Sequence, residues 1–232
     1  MNLDFSVIQN QKNLLAFSAG VDSSALFFLL LEQNIPFDIA IVNYNLRVQS
    51  KDEVFYAKNL ASKYKKNIFL KETKIENISN FEKNARDIRY KFFDEIILEN
   101  SYENLITAHQ LNDKLEWFMM QLSKGAGLVE LIGFNEFEQK ENHKIYKPLL
   151  NITKEELENY LKINNHKYFV DQSNFDEKYK RNYFRHTFSN KFLENFSSGV
   201  KKSFEYLQID LDSLNIQNIP IKKIKELEIF FF

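Results

Sequence analysis

Ser18-Ala19-Gly20-Val21-Asp22-Ser23 sits between two apolar runs. Residues 13–17 before it, Asn-Leu-Leu-Ala-Phe, have the length and character of a buried strand. Residues 24–31 after it, Ser-Ala-Leu-Phe-Phe-Leu-Leu-Leu, are apolar on every side and end in polar Glu32-Gln33-Asn34, as a buried helix does. Strand, short loop and helix in that order aim several unpaired backbone N–H groups and the positive end of a helix dipole at one point. That point suits a phosphate or pyrophosphate. Small residues at 18–20 let the backbone come close to an anion, and the Asp22 carboxylate is placed to hold Mg²⁺ against it. A plain capped turn fits the same pattern, and spacing alone does not choose between the two. No Lys follows Gly20, so this is not the G-x-x-x-x-G-K-[ST] loop; a cradled pyrophosphate fits better than γ-phosphate transfer.

On either side of this loop the hydrophobic pattern alternates. Further strands are expected at 37–44, 67–71 and 104–108, with a short fifth at 145–147. Helices are expected at 50–66, with Ser50 as N-cap and Glu53 as its capping-box partner, at 80–99, with Phe81, Ala85, Ile88, Phe92 and Ile96 as the buried stripe, and at 111–122. Thr153 and Glu156 form a second capping box, opening a helix that runs to about 164. Successive βαβ units give an α/β fold: a parallel five-stranded sheet with helices on both faces, Rossmann-like, followed by a small helical C-terminal part. The expected domains are 1–190, ATP-binding and catalytic, and 191–232, a short helical extension. Ligands in such sheets gather at the carboxyl ends of the strands. Three polar clusters fall there: 18–23, 43–47 and 109–113.

The 232 residues have ample apolar content for a core, and 5 Gly with 3 Pro argue against disorder. With 23 Phe, single phenylalanines are read as compositional bias rather than as functional groups. A formal net charge of −1 gives no global nucleic-acid signature, so an RNA partner has to be met by a local patch. The absence of Cys excludes disulfides, thiolate zinc sites, Fe–S ligation and Cys-borne sulfur chemistry. No apolar run approaches a membrane span and no signal segment opens the chain, so a cytoplasmic protein with no membrane partner is expected.

Charged residues supply the candidate chemistry. Asp113 and Glu116 lie one helical turn apart beside His109, suited to binding an ammonium group or sharing a metal; an acidic first turn that complements the helix dipole fits equally. Arg86 and Arg89 can reach phosphates, while Glu82 and Arg86 also fit an i,i+4 surface pair. Residues 178–202 hold seven Lys or Arg and one acid, Glu194, and Arg181 and Arg185 are one turn apart. Phe184, Phe188, Phe192 and Phe196 repeat every fourth residue and read as a core stripe.

S-A-G-V-D-S resembles the S-G-G-x-D-S signature of the PP-loop ATP pyrophosphatases. V-N-Y-N-L-R-V-Q-S (42–50), A-R-D-I-R-Y (85–90), T-A-H-Q-L-N-D-K-L-E (107–116), K-G-A-G-L-V-E-L-I-G (124–133), K-P-L-L (147–150) and D-Q-S-N-F-D-E-K-Y-K-R-N-Y-F-R (171–185) narrow the resemblance to the tRNA(Ile)-lysidine synthetase family. The resemblance implies a PP-loop (HUP-type) fold. It also implies a ligase that adenylates the C2 oxygen of the cytidine at the first anticodon position of tRNA(Ile) with a CAU anticodon. Free L-lysine then displaces AMP, and decoding changes from AUG to AUA. ATP and Mg²⁺ are the implied cofactors.

Carried over residue by residue, Ser18, Ala19, Gly20, Val21, Asp22 and Ser23 bind ATP, with Asp22 toward Mg²⁺. Asp113, Glu116 and His109 serve lysine and catalysis, while Arg86, Arg89 and Arg181 meet phosphate or developing charge. Lys180, Arg181, Arg185 and Lys191 are the expected tRNA contacts, and a homodimer is a candidate assembly. Five positions depart from the family pattern. Ala19 stands at a usual Gly, so its backbone is expected in a region that Ala tolerates; Tyr44-Asn45 stand at a usual H-G, Asn112 at the first acid of a D-D pair, and Trp117 at a usual Thr. The alternatives are another PP-loop tRNA-modifying enzyme, which the lack of Cys disfavours, and a non-catalytic nucleotide-binding module.

Overall fold

The computed structural model describes residues 3–46, 49–74, 81–170, 180–217, 222–224 and 227–229. Arg47, the Glu82 side chain and the 171–179 part of the last resemblance block lie outside the described residues. The chain folds as two compact units, one of Met1–Gln110 with Asn135–Asn174 and one of Leu111–Phe134 with Phe175–Phe232. Residues 1–190 thus contribute to both.

The first unit is a six-stranded sheet in the order β3-β2-β1-β4-β6-β5. Its strands are β1 (Asn13–Ala16), β2 (Asp38–Asn43), β3 (Ile68–Glu72), β4 (Asn104–Ile106), β5 (Phe137–Gln139) and β6 (Lys144–Tyr146). Five run parallel; β5 pairs antiparallel with β6, Glu138 opposite Ile145. The expected five-stranded parallel sheet therefore gains an antiparallel edge strand. Phe137-Glu138-Gln139 carries too little apolar pattern to be read as a strand, and its place comes from pairing with β6 and from the Phe137 ring stacked on Tyr146, centroids 4.5 Å apart.

Strand alternation sorts side chains onto the two faces. Leu14, Ala40, Leu105 and Ile145 pack with Phe93, Ile96, Ile97 and Tyr102, from and just beyond α3 (Phe81–Asn100). Leu15, Ile39, Ile41, Ile106 and Tyr146 pack with α1 (Val21–Glu32), α2 (Gln49–Lys63) and α6 (Lys154–Ile163). The all-round apolarity of α1 follows, because α6 covers the side that the sheet does not. Phe27 at its centre meets Phe17, Phe28, Phe37 and Tyr64 ring to ring, and its full burial contributes about 2 kcal/mol.

Two helix expectations shift in detail. Helix α2 begins at Gln49, so Ser50 lies inside the first turn rather than at the cap, and Glu53 accepts from the Gln49 side chain at 3.1 Å. On α3 the fully buried positions are Ala85, Phe93, Ile96 and Ile97, while Phe81, Ile88 and Phe92 are half-buried. The Thr153 capping box is present: its hydroxyl accepts from the Glu156 amide at 3.1 Å, and the Glu156 carboxylate accepts from the Thr153 amide at 2.6 Å.

The second unit holds α4 (Leu111–Leu122), α5 (Leu128–Ile132), α7 (Lys180–Phe184), a π-helical turn (Arg185–Ser189) and α8 (Asn190–Gln217). A hairpin of β7 (Lys222–Ile224) and β8 (Leu227–Ile229) follows, so the extension is not helical throughout. Its core is Leu111, Leu115, Leu193, Val200 and Phe204. Of the phenylalanine stripe expected in this core, Phe184 is half-buried and Phe188, Phe192 and Phe196 are exposed, at 42, 44 and 56%. A strict four-residue period drifts around a 3.6-residue helix, and the π-helical turn and a non-helical Phe196 (φ −127°, ψ 18°) disrupt the register further. The seven-then-four spacing of Leu193, Val200 and Phe204 makes the buried face.

Candidate functional site

In the first unit, strand order reverses between β1 and β4, since β1 pairs with β2 on one side and with β4 on the other. The carboxyl ends of these two strands form the switch point at which open α/β sheets bind ligands. Residues 18–23 leave one of them and His109 leaves the other.

The 18–23 loop is held by bonds among its own residues. The Ser23 hydroxyl accepts from the Ser18 amide at 3.2 Å and lies 3.0 Å from the Ser18 hydroxyl, and the Gly20 amide donates to Ser18 Oγ at 3.4 Å. Gly20 is the N-cap of α1 in extended conformation (φ −74°, ψ 176°) and has no side chain to cap the helix. The first α-helical bond runs from Ser24 N–H to Gly20 C=O, so the amides of Val21, Asp22 and Ser23 have no carbonyl within α1 to bond. From outside, Phe169 pairs with the loop as a strand would, its amide donating to the Ala19 carbonyl at 2.9 Å.

Ala19 corrects the expectation placed on it. It is fully buried at φ +60°, in the left-handed region, where a Cβ costs about 1–2 kcal/mol. Of the other non-glycine residues with positive φ, Asn34, Lys65, Ser101 and Asn165 follow helix ends, where the chain commonly takes this conformation. Ala19 precedes a helix, and its conformation is the one that turns the chain from β1 into α1. Ala19 therefore holds a conformation that favours glycine, at a cost in strain.

Asn45 also stands at a usual glycine and takes φ +53°, which Asn tolerates well, in a closed pair of bonds with Asn43 (2.9 and 3.0 Å). Tyr44 donates to the Ala85 carbonyl of α3 at 2.7 Å, and burial pushes its phenol up to about 12 against the pull of the Arg89 charge. Arg86 and Arg89 are exposed, and Arg86 lies over the Tyr90 ring at 4.6 Å. His109 is half-buried with Nδ1 2.9 Å from the Thr107 hydroxyl. As for a cation, the oxygen donors at 18–23 are hard ligands of the type Mg²⁺ takes, and Asp22 supplies one carboxylate. Among the described residues no three His, Cys, Asp or Glu converge.

In the second unit, Asp113 and Glu116 lie in the first two turns of α4 and are both buried, Glu116 to 1% exposure. Two guanidiniums meet them. Arg181 donates through Nη2 to Asp113 Oδ1 and through Nε to Glu116 Oε2 at 2.8 Å. Arg185 donates through Nε to Glu116 Oε1 at 2.7 Å and through Nη2 to Glu116 Oε2 at 3.1 Å, and stands 3.9 Å from Asp113 Oδ1. Thus two of the four expected RNA contacts are engaged with acids, whereas Lys180 and Lys191 are exposed.

The two remaining departures also have structural partners. Asn112 donates to Asn190 Oδ1 at 2.8 Å, tying α4 to the start of α8. Trp117 donates to the Glu130 carbonyl at 2.8 Å, and its indole covers Gly133, where a Cβ would lie 2.3 Å from Nε1. Phe169, Asn190 and the Trp117–Gly133 contact carry no motif signal in the sequence. The Arg185–Glu116 pair was half-legible, because i,i+4 spacing puts Arg181 and Arg185 on one face without saying what they face.

The PP-loop domain family matches residues 3–192. A tRNA(Ile)-lysidine synthase of Campylobacter jejuni strain RM1221 is 50% identical over 216 residues, covering 92% of this chain and 67% of its own. That of Helicobacter hepaticus is also 50% identical, over 215 residues, covering 90% of this chain and 51% of its own. The chain thus spans between half and two thirds of the length of these relatives. Among solved structures, the U34-tRNA thiolase NcsA of Methanococcus maripaludis with its [4Fe-4S] cluster superposes with a TM-score of 0.69 at 20% identity, covering 88% of this chain and 74% of that one. At that identity the likeness shows the fold alone.

Proposed function

The chain belongs to the tRNA(Ile)-lysidine synthase family of PP-loop proteins, and from that premise we propose how its residues carry out the ATP-dependent formation of lysidine. The substrates are ATP, free L-lysine and a tRNA(Ile) whose first anticodon base is cytidine. In the first step the C2 oxygen of that cytidine attacks the α-phosphorus of ATP; a P–O bond forms and pyrophosphate leaves with the electron pair of the broken one. C2 then becomes electrophilic, because its oxygen is part of a good leaving group. The unprotonated ε-amine of lysine attacks C2, AMP departs with the oxygen, and the amine loses a proton.

The 18–23 loop binds the phosphates of ATP through backbone amides at the start of α1, and the positive end of the helix stabilises the departing pyrophosphate. Asp22 would hold Mg²⁺, which would supply positive charge to the phosphates. Arg86 and Arg89 meet further phosphate charge. Asp113 and Glu116 bind and orient the lysine amine, and His109 assists near the reacting base. Arg181 supplies positive charge, and Lys180 and Lys191 contact RNA. Residues 1–190 form the catalytic domain, which the family match over 3–192 supports.

One observation carries the lysine assignment: two buried carboxylates one turn apart are both bonded to cationic nitrogen, chemistry that an ammonium group can share. The test incubates the protein with ATP, Mg²⁺, labelled lysine and tRNA(Ile) carrying cytidine at the first anticodon position. Lysine-labelled RNA with stoichiometric AMP is expected. Bound ATP with no incorporation would turn the reading toward a non-catalytic nucleotide-binding module.

A further inference from the structure

We propose that Arg185 is a positioning residue for Glu116 and not an RNA contact. The inference rests on the assignment of Glu116 to lysine binding. Both guanidinium groups touch the same acids, but in different ways. Arg185 gives each oxygen of Glu116 its own donor, 2.7 Å to Oε1 and 3.1 Å to Oε2. A planar fork on a planar carboxylate fixes its rotation as well as its position. Arg185 Nη1 also lies 3.4 Å from Asn182 Oδ1, so its outer edge faces a buried amide. Its side chain is 16% exposed, which leaves little of the guanidinium for a phosphate.

Arg181 bridges instead, giving one bond to Asp113 and one to Glu116, and is 38% exposed. An incoming ammonium replaces the more exposed, bridging guanidinium and leaves the forked one in place.

Backbone geometry supports the same division. The π-helical turn begins at Arg185, and the buried Ser189 hydroxyl donates to the carbonyls of Phe184 and Arg185, at 3.4 Å each, across the widened turn. Isolated π turns recur at functional sites because the extra residue re-aims a side chain. Here the side chain at its start is the one that grips Glu116.

The experiment measures steady-state lysine kinetics and direct tRNA binding on the full chain with Arg185→Ala, Arg185→Lys and Glu116→Gln. Arg185→Ala is expected to lower kcat/KM for lysine about 100-fold, the scale of a misplaced binding group, with tRNA Kd within about twofold of the parent. Arg185→Lys is expected to recover about tenfold of that loss, since an ammonium reaches one oxygen where the fork reaches two. If Arg185→Ala does not fold, as judged by near-UV circular dichroism, the same comparison is read from Arg185→Lys. A tenfold or greater loss of tRNA affinity in the Arg185 variant overturns the proposal whatever the lysine kinetics. Parental lysine kinetics in Arg185→Ala beside an inactive Glu116→Gln overturns this proposal alone. Parental lysine kinetics in Glu116→Gln overturns the lysine-site assignment, and this proposal with it.

Discussion

The loop at 18–23 and the acid pair on α4 are built in opposite ways. The loop is made of backbone: its donors are main-chain amides, its internal bonds span no more than five residues, and its side chains are small. The acid pair is made of side chains whose partners stand 65 to 69 residues away along the chain. Anions are met by amides that every residue but proline carries, so the loop depends on conformation more than on side-chain identity. Cations are met by carboxylates, which must be buried and held, so the pair depends on identity and on distant support. The loop accordingly accepts an alanine at a usual glycine, while the pair keeps both acids with two arginines.

If this contrast holds, the largest effect comes from removing a carboxylate. Asp113→Ala or Glu116→Ala is expected to abolish lysine transfer while leaving ATP affinity within about threefold, measured by labelled-lysine incorporation and by equilibrium dialysis of ATP. Glu116→Ala should also lower stability by about 3 kcal/mol, because a fully buried acid leaves two guanidiniums short of a partner. Undiminished lysine transfer in both variants would break the comparison.

An intermediate effect is expected at Gly133. Gly133→Ala places a methyl against the Trp117 indole and should cost about 1–3 kcal/mol in denaturant unfolding. Trp117→Thr in the same chain should recover most of that loss, since the clash is with the indole. Additive losses in the double variant would mean that Gly133 is needed for another reason.

The smallest effect is expected at Ala19. Ala19→Gly relieves about 1–2 kcal/mol of left-handed strain but gives up the burial of a methyl, worth about 0.8 kcal/mol, and a more flexible unfolded chain opposes the gain as well. Stability should therefore change by less than about 1 kcal/mol, with ATP affinity kept, whereas Ala19→Val should fall by clearly more because β-branching worsens the same conformation. A loss of stability in the glycine variant as large as in the valine one would show that packing, not backbone conformation, governs residue 19.

Much of the first unit was readable because its signals are local. Strand-length apolar runs, capping residues and the strand–loop–helix order at 13–32 are properties of neighbouring residues, and β1–β4, β6, α1–α3 and α6 all lie within a few residues of where the pattern puts them, as does α4 of the second unit. Edge strand β5 escaped because its pairing with β6, and not its own sequence, makes it a strand. The Phe184–Phe196 repeat misled because a four-residue period resembles a helical face while drifting around it, and the π-helical turn at Arg185–Ser189 has no local signature.

Sequence alone established the alternating α/β order, the strand–loop–helix junction at 13–32, the absence of cysteine and the two acids one turn apart. It left open which charges meet. Tertiary structure supplied that: Arg181 and Arg185, expected at RNA, turn onto Asp113 and Glu116, and Ala19 takes a glycine's conformation under the grip of Phe169. The physical reason is range. Backbone propensity acts over a few residues and is written where it acts, whereas a buried charge is satisfied only by a partner that folding brings from elsewhere in the chain.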